Sequence, residues 1–217
     1  MSGPRIGLVH ALRDSMPPVD AALAEHWPDA VPLHLFDGSL YADRSRGTAT
    51  DAEIDRRIAL LLRHSADVGA AGILFTGSFF GAAVEKGREG LSIPVLTSFQ
   101  GIVEAAFAAD GTFQVLSTAP DSAPLLIREL ERQAAGRPCA ARGASVPEAI
   151  QALLAGDPER HDEIIADATA ALPAEGTVLF AQFSMGRAKT LAEARSGRRI
   201  LAPAEAGILA LKRILGA

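Results

Sequence analysis

A single cysteine, Cys139, is all that this chain of 217 residues contains, which excludes an internal disulfide, a thiolate zinc cluster and any reaction needing two thiols in one subunit. An excess of charge of one sign is lacking too. The formal net charge is −5 and the arginines are scattered, so no basic stripe exists to neutralise a nucleic-acid backbone, and nucleic acid is not an expected partner. No hydrophobic run is long. That around Ala70–Val84 is broken by Thr76 and Ser78 and falls short of the roughly 18 apolar residues a membrane helix needs, so no membrane partner is expected. The opening MSGPRIGLVHALRDS has too short an apolar stretch for a signal peptide, and the expected location is the cytoplasm. The histidines His26, His34, His64 and His161 show no metal-ligand spacing such as H-x-x-x-H and read as ordinary structural residues, so no metal is expected. GSFFGAAVEKG lacks the G-K-[ST] ending of a phosphate loop, and no G-x-G-x-x-G follows the first strand, so nucleotide binding is disfavoured.

What is present is an ordinary globular composition, 48% hydrophobic and 22% charged, in a chain long enough to need no staple. Short β-type runs alternate with helical patterns, which predicts an α/β fold with mostly parallel sheets. Strands are expected near 5–11, 31–36, 72–76, 94–97, 112–117, 139–144, 177–181 and 199–201. Thr50 with Glu53 three residues on forms a capping box ahead of Ile54, Ile58, Leu61 and Leu62 at helical spacing, and Asp157-Pro158 opens another helix.

The two halves are alike. HALRDSMPPV from His10 matches STAPDSAPLL from Ser117, pairing Asp14-Ser15 with Asp121-Ser122 and Pro17 with Pro124, at an offset of 121 − 14 = 107. ILFTGSFFG matches VLFAQFSMG, pairing Gly81 with Gly186, at an offset of 186 − 81 = 105. Two matches in one order argue for an internal duplication. The expected organisation is two similar lobes, 1–98 with 204–217 and 99–203, related by a pseudo-two-fold.

In parallel α/β sheets ligands bind beyond the carboxyl ends of strands, where following helices present unpaired N–H groups. LFTGSFFG and LFAQFSMG both sit at such ends, and together they predict a cradle for a small carboxylate. The stretches GILFTGSFFGAAVE, IPVLTSFQGIVEAAF, QVLSTAPDSAP and VLFAQFSMGRA, which span essentially the whole chain, resemble the aspartate/glutamate racemase superfamily, with its amino-acid and hydantoin racemases, maleate isomerase and arylmalonate decarboxylase. The resemblance implies two α/β lobes with the active site in a cleft between them. It also implies proton transfer alpha to a carboxylate by one cysteine at each tip, without cofactor.

Those cysteines fall on Gly77 and Gln182, and neither residue titrates. Two-thiol racemisation is therefore not expected. The decarboxylase relatives also have glycine at the first tip, but their cysteine at the second is missing here as well. Three readings remain. The first is proton transfer with another group, His10 or Asp37, carrying the proton; a lyase of the arylmalonate decarboxylase kind stands beside it. The second is a thiol-to-glycine variant that no longer turns over, and the third a non-enzymatic carboxylate-binding protein. The expected site comprises His10, Gly77 and Gln182 at the chemistry, with Thr76, Ser78, Phe79, Thr118, Phe183 and Ser184 around the substrate. A small carboxylate is the expected partner, no cofactor is expected, and a homodimer is compatible with the sequence.

Each of these residues also has a plainer role. Ser78, Ser184 and Thr118 suit helix entries, Asp37 suits a turn with Gly38, and His10 suits a hydrogen-bonded strand end. Phe79, Phe80 and Phe183 either wall an apolar pocket or pack the fold. QFSMG approaches a G-x-S-x-G nucleophile elbow, but no aspartate or histidine follows Ser184, as that arrangement requires. Cys139 reads as packing.

Overall fold

Central strands of a parallel sheet are covered on both faces and so read as nearly unbroken apolar runs. Two such runs organise the molecule. The structure is a computed structural model that describes residues 3–109 and 111–217. The chain divides into two compact units, one running through Gly101 and including Gly207–Ala217, the other being Ile102–Ala206.

In the first unit β1 (Arg5–His10), whose last five residues are buried, is followed by α1 (Met16–His26), β2 (Val31–Phe36), α2 (Gly38–Arg46) and α3 (Asp51–Asp67). Then come β3 (Gly72–Phe75), α4 (Gly81–Gly87) and β4 (Val95–Leu96), after which α5 (Gln100–Ala109) carries the chain into the second unit. All four strands are parallel, in the order β2-β1-β3-β4. Thr50 and Glu53 make the reciprocal capping box at the start of α3, the side chains of Ile54, Ile58 and Leu62 turn inward, and they meet Val9, Ile73, Phe75, Phe80 and Val84 in one core. β4 is shorter than the 94–97 run because Pro94 has no N–H to give to a ladder.

The second unit repeats the plan. It holds β5 (Thr112–Ser117), α6 (Ser122–Ala134), β6 (Ala140–Ser145), α7 (Pro147–Leu154) and α8 (Pro158–Ala171). Next are β7 (Thr177–Phe180), α9 (Lys189–Ser196), β8 (Ile200–Leu201) and α10 (Pro203–Ile214), the last of which carries the chain back into the first unit. The order is β6-β5-β7-β8, again all parallel. Even the register is kept: Leu8 pairs with Leu74 in the first unit and Val115 with Leu179 in the second. The duplicated matches in the sequence thus correspond to equivalent strands with equivalent pairing. Among the described residues, no helix is long and apolar enough to cross a membrane.

Candidate functional site

At the end of β3 the chain passes through Thr76 and Gly77 into a short 3-10 turn, Ser78–Phe80, that leads to α4. Gly77 has φ −105° and ψ 112°, an extended geometry any residue adopts, so its backbone does not require glycine. Space does. A Cβ on Gly77 would lie 2.6 Å from Cδ2 of Phe80 and 2.8 Å from Cε1 of Phe75. Both rings are buried and meet edge to face with centroids 5.8 Å apart, so neither moves freely. The site is built around the missing side chain. This counts against the reading of Gly77 as a bare deletion of a thiol, because the volume has been filled by aromatic packing. The Ser98 hydroxyl donates to the Gly77 carbonyl at 3.3 Å.

His10, the last residue of β1, is wholly buried beside this tip. Its Nδ1 lies 3.0 Å from Thr76 Oγ1, and its Nε2 lies 3.0 Å from His34 Nδ1 on the edge strand β2. The two imidazole planes are within 18° of parallel. His34 Nε2 in turn lies 3.0 Å from Oδ1 of Asp20 on α1, a side chain that is 55% exposed. Thr76 Oγ1 has a second, long contact of 3.4 Å to the Val9 carbonyl. Four side chains, from the ends of β1 and β3, the interior of β2 and a helix, therefore run in one file from Thr76 to the surface. Burial, and then the neighbouring His34, push the His10 pKa down to about 3, so the ring is neutral at ordinary pH.

At the second tip β7 leads through Ala181 and Gln182 into a 3-10 turn, Phe183–Ala188, in which Phe183, Ser184 and Met185 are buried. Gln182 Oε1 receives three donors: Thr118 N at 2.6 Å, Thr118 Oγ1 at 3.1 Å and Ala119 N at 3.2 Å. Convergence of donors on one atom identifies it as the amide oxygen and so fixes which way the NH2 group points. Thr118 does not serve as a helix cap; its two donors are already committed to Gln182. Ser78 and Ser184 lie inside 3-10 turns that have no side-chain cap.

Among the remaining sequence candidates, Asp37 caps α2 by accepting from Ser39 N at 3.0 Å and stands 3.7 Å from Arg57 Nε, which assigns it to a helix end. Burial and Glu131 push the Cys139 thiol up, away from a reactive thiolate. Phe79 is half-buried in the first turn. Sequence reasoning set His34 aside as an ordinary strand residue and overlooked Asp20. The sequence shows a histidine within the expected strand 31–36 and Asp20 among the apolar residues of MPPVDAALAEH, but nothing in it aligns either with His10. Among the described residues, no group of three or more His, Cys, Asp or Glu side chains is placed to hold a metal ion.

The second unit has no counterpart to this file. Adding 107 carries His10 to Ser117 and Asp20 to Ile127, adding 105 carries Thr76 to Ala181, and the strand register matches His34 with Gly143. The Ile127–Gly143 pair even preserves the contact, since a Cβ on Gly143 would lie 3.2 Å from Ile127 Cδ1. The same scaffold positions hold titratable groups in one unit and none in the other.

The Asp/Glu/Hydantoin racemase family matches residues 14–211 of the chain. An aspartate racemase of Picrophilus torridus superposes with a TM-score of 0.75 at 13% identity, over 99% of this chain and 95% of that one. A glutamate racemase of Bacillus anthracis gives 0.74 at 13% identity, over 100% and 83%. An arylmalonate decarboxylase gives 0.65 at 17% identity, over 99% and 93%. At such identities these structures establish the fold. No curated protein sequence matches the chain.

Proposed function

The chain belongs to the Asp/Glu/Hydantoin racemase family, and from that premise we propose that it is a cofactor-independent enzyme moving a proton at the carbon alpha to a carboxylate of a small amino or dicarboxylic acid. The observation that carries this reading is the buried contact of His10 with Thr76, the residue immediately before the first tip. A neutral imidazole against a hydroxyl is a pair able to accept or release a proton without an ionised thiol. In this reading Thr76, Gly77, Ser78 and Phe79 hold and flank the reacting carbon. At the second tip Thr118, Gln182, Phe183 and Ser184 include no side chain suited to moving a proton, and Gln182 offers an amide able to hold a carboxylate.

A glutamine amide does not titrate, but its NH2 group donates hydrogen bonds, and an amide oxygen held by three donors polarises that group further. Gln182 accordingly suits a carboxylate. The two cysteines expected of a two-base racemase are replaced here by a space-filling aromatic corner at one tip and an amide at the other. A second reading is a lyase acting like the decarboxylase relatives. What favours it is the confinement of proton-carrying side chains to one unit, since loss of a carboxylate leaves a carbanion that needs a proton from one side only.

The test is incubation of aspartate, glutamate, allantoin and phenylmalonate with the full chain in deuterated water, followed by mass spectrometry. Uptake of deuterium at the alpha carbon is the expected result. Loss of carbon dioxide would transfer the assignment to the lyase. Unaltered acids that nonetheless bind would remove catalysis altogether.

A further inference from the structure

Hydrogen-bond polarity along the buried file is set by its outer end. An ionised carboxylate only accepts, so Asp20 takes the Nε2 proton of His34; a neutral His34 then has Nδ1 free to accept, and His10 must supply Nε2–H to it. That leaves His10 Nδ1 as an acceptor, and Thr76 donates its hydroxyl proton to it. Every donor meets an acceptor, and all of them point outward from the tip. The 3.4 Å contact of Thr76 with the Val9 carbonyl is too long to compete.

We propose that His34 and Asp20 extend the Thr76–His10 pair into a four-member relay that carries the proton of the first tip between Thr76 and the protein surface. The proposal rests on the proton-transfer function above and adds the two residues that make it workable. When the substrate C–H bond breaks, its electron pair stays on the carbon and delocalises into the carboxylate, and the proton goes to Thr76 Oγ1. Thr76 passes its own hydroxyl proton to His10 Nδ1. His10 releases its Nε2 proton to His34 Nδ1. His10 ends neutral in its other tautomer, and the positive charge resides on His34 against the Asp20 carboxylate. The return of the proton reverses each step.

Such a path answers a difficulty that His10 alone does not. A fully buried ring whose charged form is strongly disfavoured is a poor place to store a proton. His34 differs in its surroundings: it is partly exposed, and its Nε2 lies 3.0 Å from the Asp20 carboxylate. The absence of titratable groups at the matched positions Ser117, Gly143, Ile127 and Ala181 shows that the duplicated scaffold does not itself require the file. His34 and Asp20 touch no substrate in this scheme and act through His10.

The experiment uses the full chain labelled with 15N at the imidazoles, with Asp20→Asn as an isosteric variant that accepts the hydrogen bond from His34 but carries no charge to offset a protonated ring, and Asp20→Glu as the conservative one. Nε2–H tautomers on both His10 and His34 are expected. The buried His10 proton should exchange with water about tenfold more slowly in Asp20→Asn than in the natural protein, with Asp20→Glu recovering most of the rate. An Nδ1–H tautomer on His10, or exchange indifferent to Asp20→Asn, overturns the relay. If none of the four acids takes up deuterium, the proposed function falls while the relay is still decided by tautomer and exchange. If one does, Asp20→Asn should lower kcat for deuterium uptake by about ten- to a hundredfold with KM little changed, and an equal kcat would count against the relay.

Discussion

A histidine held neutral inside a protein has a thermodynamic consequence that can be measured without any substrate. The His10 pKa is lowered from 6.5 to about 3 in the folded chain, whereas the unfolded chain keeps the ordinary value. Above pH 6.5 neither state holds the proton, and His10 contributes no pH dependence. As pH falls from 6.5 toward 3 the unfolded state takes up a proton that the folded state refuses, so stability drops by up to about 1.4 kcal/mol per pH unit. The urea midpoint of a His10→Gln variant should therefore depend less steeply on pH than that of the natural protein between pH 6 and 4. Parallel slopes would show that His10 is not held neutral. Gly77 makes the opposite kind of residue-scale prediction, steric in origin. Gly77→Cys restores the thiol expected of the family's racemases but drives its Cβ into the Phe75 and Phe80 rings, and should cost about 1–3 kcal/mol by urea denaturation. A Gly77→Ala variant should lose a similar amount, because the clash begins at Cβ. If the cysteine variant were as stable as the natural protein, the corner would have room for a thiol, and the deletion reading of Gly77 would regain its force.

At the scale of elements, one amide oxygen ties the turn after β7 to the loop that follows β5. Gln182→Leu strips three donors of the acceptor they share in a largely buried place, and a loss of about 1–3 kcal/mol is expected from the unsatisfied groups. Gln182→Glu keeps an acceptor there, strengthened by charge, and should fold as well as the natural protein while losing the NH2 donors. Calorimetric titration with a responsive acid then separates the two roles: weaker binding in the stable glutamate variant supports the amide as a carboxylate donor, and unchanged binding refutes it. The elements themselves were readable in the sequence because the central strands are short apolar runs between turn residues, and because the capping box and Asp157 mark helix starts by local chemistry. His10 was readable as a titratable group at a strand end. His34 and Asp20 were not, since their alignment with His10 arises from register between neighbouring strands and from the face that α1 turns to the sheet. The Phe75–Phe80 corner was likewise hidden, because which ring fills the space beside a glycine is a matter of packing and leaves no periodicity.

Across the whole molecule, duplication supplied two equivalent strand ends and divergence gave them different chemistry. Strand order and register agree between the units, so the tips are the same place in the same scaffold. One carries Thr76, His10, His34 and Asp20 in hydrogen-bonding sequence; the other carries Ala181, Ser117, Gly143 and Ile127 at the matched positions, with Gln182 at its tip. Inversion at a carbon by two bases requires a proton carrier for each face, and Gln182 with the matched positions Ala181, Ser117, Gly143 and Ile127 holds no group that gains or loses a proton near neutral pH. On the proposed function, a proton taken through Thr76 and His10 returns through the same pair, to the face it left. The expected outcome in deuterated water is exchange of the alpha hydrogen with retained configuration or, from a prochiral malonate, one enantiomer of the product acid. Chiral chromatography with mass detection reads both. Inversion keeping pace with deuterium uptake would mean that a second proton carrier serves the other face, and the asymmetry between the duplicated units would then have to be explained by something other than one-sided proton transfer.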